Sequence, residues 1–163
     1  MPGFDLLQDP DFQRRTWAAQ RVGRMAMALV VLAALAGLVG TGPLSETSAG
    51  DGERLTVEYD RFVRRLGENR LTLKVAPGAA AGPEVRLWID APYAQRMEVE
   101  AVTPEPERME TTADRLTLVF ALARPGEGLE AVLDLRSRSF GPVRGAVCLA
   151  GGPAVPIAQF VYP

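Results

Sequence analysis

The chain has 163 residues, a formal charge of −2 and a pI near 5.3. That length fits one domain plus an appendage, and the acidic balance argues against the broad basic surface that neutralises nucleic-acid phosphates. Histidine is absent, which removes the commonest general base and metal ligand, and a single cysteine, Cys148, cannot form an internal disulfide.

The first 24 residues carry Arg14, Arg15, Arg21 and Arg24 and no apolar run. Asp9 suits an N-cap and Pro10 a first helical position, so helix is expected from about residue 10. Residues 25–44 follow without a charge, long enough at about 20 residues to cross a hydrocarbon core. The length of the run and its polar preamble favour a retained signal-anchor over a cleavable secretory signal, for which Thr47-Ser48-Ala49 would be the cleavage site. Arginines before the span and Glu46, Asp51 and Glu53 after it place the N-terminus in the cytoplasm and the remainder outside the membrane.

Within the span, Ala26, Ala33, Gly37 and Gly40 share a side at helical spacing, the small-residue pattern that lets a second helix approach closely. Trp17 is expected near the lipid headgroups. Residues 45–52, SETSAGDG, read as a short polar linker with a reach of only about 15 Å, so the outer domain should ride close to the bilayer.

From residue 53 the hydrophobic period becomes two. Leu55, Val57 and Tyr59; Leu71, Leu73 and Val75; and Val85, Leu87 and Ile89 each alternate with polar residues. Further runs begin at Met97, Leu116, Leu129, Val143 and Val155, with Gly and Pro clusters between them and one helical turn expected at Pro92 to Gln95. Such spacing predicts a mainly β domain over 53–163. We read it as an immunoglobulin-like antiparallel β-sandwich preceded by a single transmembrane helix, with a small closed barrel as the alternative.

No catalytic constellation emerges. Glu98 with Glu100 and Glu105 with Glu107 are the nearest paired carboxylates, and residues two apart on a polar strand face are ordinarily solvated. Cys148 has no base to activate it. No catalytic, metal or cofactor residue is assigned, and no cofactor is expected. Arg61, Arg64 and Arg65 form the densest basic cluster outside the membrane flank, and Trp88 lies out of phase with Val85, Leu87 and Ile89. With Trp17, these four mark the expected interface.

The run FQRRTWAAQRVGRMAMALVVLAALAGLVG, then LSETSAG and a β-rich region ending in QFVYP, resembles a group of short, uncharacterised bacterial inner-membrane proteins. The resemblance implies an accessory role beside a larger membrane protein and supplies no active-site residue. The expected function is therefore a non-enzymatic, membrane-anchored interaction module. Its expected partners are an integral membrane protein and the lipid bilayer, with no nucleic acid. The alternative is an envelope-ligand binder for glycan, lipid or peptide, using an exposed aromatic such as Trp88 or Tyr93. An enzyme built from carboxylates, arginines and tyrosines ranks third.

Overall fold

A computed structural model describes residues 10–35, 45–80 and 82–163. Helix α1 (Pro10–Leu35) runs 26 residues, about 39 Å at 1.5 Å per residue. Within it, Arg14–Leu35 is long and apolar enough to cross a membrane and contributes nothing to the buried interior. Of the small-residue face, Ala26 and Ala33 lie on this helix, whereas Gly37 and Gly40 fall outside the described residues. The same holds for the later part of the expected span, residues 36–44.

Eleven strands follow: β1 (Glu46–Gly50), β2 (Leu55–Asp60), β3 (Phe62–Arg64), β4 (Glu68–Val75), β5 (Glu84–Asp90), β6 (Met97–Thr103), β7 (Arg108–Thr111), β8 (Arg115–Ala121), β9 (Leu129–Ser137), β10 (Gly141–Leu149) and β11 (Ala154–Tyr162). A short helix, α2 (Ala91–Arg96), joins β5 to β6. The strands form two sheets in the orders β1-β2-β4-β9-β6 and β3-β11-β10-β5-β8-β7. Alternation sends one side of each strand inward, and those sides merge in one core. Leu71, Leu73 and Leu133 from the first sheet pack there with Leu87, Leu118 and Phe120 from the second. The domain is a β-sandwich, and none of its core residues comes from α1.

Two features differ from the sequence expectation. Residues 46–50 are not a free linker but an edge strand, with Glu46 opposite Asp60 and Gly50 opposite Thr56. Backbone pairing with β2 holds β1 there, together with the Ser45 hydroxyl, which accepts from Phe62 N–H at 3.2 Å and donates to Phe62 C=O at 3.3 Å. Nor is the sandwich wholly antiparallel, because β3 pairs parallel with β11, Val63 opposite Val161. Only Arg61 separates β2 from β3. The chain there leaves one sheet and joins the other without reversing direction.

That crossing takes the Asp60 carbonyl out of the ladder, and a buried carbonyl needs a partner. Gln159, itself buried, donates its amide to Asp60 C=O at 2.7 Å, while its side-chain oxygen accepts from the Tyr93 hydroxyl at 2.6 Å. One polar chain thus ties α2, β11 and the crossing together inside the core.

Candidate interaction surface

The two outer faces of the sandwich differ in chemistry. On the first sheet, Glu58, Arg70, Lys74, Asp134, Arg136, Glu98 and Glu100 alternate outward, and most are paired across strands. Lys74 meets Glu58 at 2.7 Å, Arg70 meets Asp134 at 3.4 Å, Arg136 meets Glu100 at 2.5 Å, and Arg138 pairs with Glu98. The hydrogen bond from Lys74 to Glu58 raises the lysine's pKa above its ordinary value. Glu98 and Glu100 are thus committed to separate arginines. Among the described residues no three carboxylate or thiol groups converge to hold a metal ion.

Across this face, with lining from all five strands, lies an open concavity of about 980 Å³ that includes Glu46, Glu58, Asp60, Glu68, Glu100 and Asp134 with one cation, Arg70.

The second sheet presents the opposite character. Along β11, Val155, Ile157, Gln159 and Val161 point inward, so Pro156, Ala158 and Phe160 point out. Register places Phe62 of β3 and Pro142 of β10 on either side of Phe160. Arg64 and Arg144 edge this strip, and no outward position on β3, β11 or β10 is a carboxylate. Phe160 is 48% exposed.

The residues singled out from the sequence scatter over the molecule. Trp17 is exposed on α1, with the Arg21 guanidinium 5.3 Å above its ring, one helical turn on. Arg61 is structural in part, its guanidinium donating to Thr47 Oγ1 at 3.0 Å. Arg64 and Arg65 are exposed beside it. Trp88 stands apart from them. Arg64 is level with Tyr162 of β11, whereas Trp88 is level with Cys148 and hence with Ala154. That is eight residues along the strand, about 27 Å.

Trp88 is half-buried beneath the Arg115 guanidinium, 5.6 Å from its ring, and covers its cross-strand neighbour Cys148. Burial pushes the Cys148 thiol up from its ordinary range, and its Sγ lies 3.1 Å from the carbonyls of Leu149 and Gly152. Tyr93, expected as an exposed aromatic, is a core residue instead. α2 packs it over Gly145 and its hydroxyl is engaged by Gln159.

Sequence reasoning missed Leu66 and Phe140 as surface groups, and it did not bring Phe62 beside Phe160, which the parallel pairing of β3 with β11 does. For Leu66 and Phe140 a signal was present, since each sits directly before a glycine, at a turn, where an apolar residue has no packing reason to be.

Comparison with protein-family models finds no match, and comparison with curated proteins finds none. Among solved structures, the chain is similar to a cohesin module from a family 33 glycoside hydrolase of Clostridium perfringens ATCC13124. The match has 10% identity and a TM-score of 0.47, over 71% of this chain and 98% of that one.

Proposed function

We propose that this chain is a non-enzymatic interaction module, held in a bacterial inner membrane by α1 and acting as an accessory subunit of an integral membrane protein. The observation that carries the reading is the outer strip of β3, β11 and β10. Aromatic and apolar groups edged by arginine and free of carboxylates have the composition that distinguishes the core of a protein interface from ordinary surface. The arginines before the apolar part of α1 support a cytoplasmic N-terminus and an exported sandwich. Tethering would raise the effective concentration of the strip at the membrane, so modest contacts by helix and sandwich add up.

The finer fold reading is immunoglobulin-like. The order β2-β4-β9-β6 facing β11-β10-β5 corresponds to the A-B-E-D and G-F-C sheets of that fold, and β3 takes the place of a sheet-switching first strand. The departure is the β7-β8 hairpin, which follows β6 and extends the sheet beyond β5.

The test is purification of the full chain from its native membrane in mild detergent. An integral membrane protein should accompany it in fixed ratio and be lost with Phe160→Asp, a change on an exposed side chain that leaves the core intact. A chain that comes out alone, or a partner that stays with Phe160→Asp, contradicts the reading.

A second reading, a tethered ligand-binding sandwich, draws support from the acidic concavity on the first sheet. Its ligand would be cationic. Calorimetric titration of residues 45–163 with lysine- and arginine-rich peptides and with polyamines tests it, and the absence of heat in every case counts against it.

A further inference from the structure

The inference rests on the membrane-anchor reading and concerns which end of the sandwich meets the bilayer. At one end the β3–β4 turn, the β9–β10 loop, the α2–β6 junction and the end of β11 come together. Leu66 N–H donates to Ser137 C=O at 3.0 Å, Arg65 N–H to Tyr162 C=O at 2.7 Å, and Arg138 N–H to Arg96 C=O at 3.2 Å. Ser45, where the chain joins the sandwich, lies at this same end, its carbonyl accepting from Arg61 N–H at 2.7 Å. Nine residues, 36–44, separate it from Leu35. From Leu35 to Ser45 the chain spans about 35 Å at most, and it enters the sandwich at this end.

Two large apolar side chains stand in solvent here, Leu66 at 58% and Phe140 at 74% exposure. Leu66 occupies the third position of a turn closed by Gly67 N–H to Arg64 C=O, with φ of 58°, a conformation suited to glycine or asparagine. Arg64 and Arg65 flank it, exposed and with no side-chain partner among the described residues. The other arginines of this end are engaged: Arg61 with Thr47, Arg96 with the Pro142 carbonyl at 3.1 Å, and Arg138 with Glu98. The nearby carboxylates Glu46, Asp60 and Glu68 lie on the outer face of the first sheet, to the side of the turn.

We propose that this end of the sandwich seats on an anionic lipid surface, with Leu66 and Phe140 in the interfacial layer and Arg64 and Arg65 on headgroup phosphates. Apolar wedges and unpaired cations supply the two attractive terms of interfacial binding, apolar burial and charge. Each arginine near such a surface is worth roughly five-fold in affinity.

The test uses the full chain in vesicles of phosphatidylcholine alone or with phosphatidylglycerol. Because Cys148 is buried, an environment-sensitive dye attaches selectively to Phe140→Cys, or to Glu127→Cys at the opposite end as the control. The dye at 140 should shift to the blue in the anionic vesicles and far less in the neutral ones, while the dye at 127 stays unmoved. Arg64→Glu with Arg65→Glu should abolish the shift. Leu66→Asn should reduce it while the domain melts no lower than the parent, which separates lipid contact from folding. If the chain floats with the vesicles but the dye at 140 responds no more than that at 127, the inference is overturned and the anchor reading stands. A shift equal in both lipids that survives charge reversal also overturns it, in favour of an uncharged contact. A chain left behind when the vesicles float overturns the anchor reading itself.

Discussion

Tyr93 and Gly145 fix each other's identity. A Cβ built on Gly145 would stand 2.4 Å from Tyr93 Cβ and 2.9 Å from its Cγ, closer than side chains approach, so Gly145→Ala must displace α2. Its destabilisation should reach the 1–3 kcal/mol typical of overpacking, about the same loss as Tyr93→Phe, which strands the Gln159 side-chain oxygen in the core. Urea unfolding of residues 45–163 measures both. Burial, and to a smaller extent Tyr59, raises the Tyr93 pKa well above its ordinary 10.0. The folded state therefore keeps the phenol proton after the unfolded chain has released it. The stability this represents is complete below pH 10.0 and falls as pH rises from there through the raised value. Tyr93→Phe should flatten that alkaline decline, and an unchanged pH dependence would show that another group sets it.

The strands legible in the sequence are those with one buried side. β2, β4, β5, β8, β9, β10 and β11 each alternate because one face lines the core, and the period of two survives as a pattern of apolar letters; β6 shows it from Met97 to Val99, before its bulge. β1 and β7 lack that signal for a physical reason. Each is an edge strand with little burial: every residue of β7 is exposed, and in β1 only Thr47 and Ala49 are partly covered. β3 is three residues long, too short for any period. The α2 turn was visible through Pro92, but six residues cannot say which side faces in, so Tyr93 was misplaced. Gly145 could have corrected this, since an isolated glycine on the inward side of a strand signals a close neighbour. The cost of misreading β1 is concrete. Ser45→Ala should destabilise the sandwich by about 1–3 kcal/mol by leaving Phe62 N–H without its partner, although a linker residue would tolerate it freely. Thermal or urea melts of the two proteins decide between these.

For the molecule as a whole, the apolar helix and the sandwich are separate investments of hydrophobic surface. Every core residue lies between Leu55 and Val161, and the membrane-length part of α1 has no buried residue. Residues 45–163 should therefore fold cooperatively alone, with the same melting temperature as the full chain in detergent. The surface candidates were only half legible. Composition pointed to Arg64, Arg65 and Trp88, yet their grouping depended on strand order, which alternation does not encode. Trp88 went to the shelter of Cys148, while Phe160 and Phe62, far apart in sequence, were brought side by side by the parallel pairing of β3.

The most direct test of the interaction-module account is photocrosslinking in the native membrane, with a benzophenone side chain at Phe160 or, for comparison, at Thr72 on the opposite outer face. The account predicts one adduct at 160 with an integral membrane protein that resists alkaline extraction, and no such adduct at 72. No adduct at 160, or the same adducts from both faces, would contradict it.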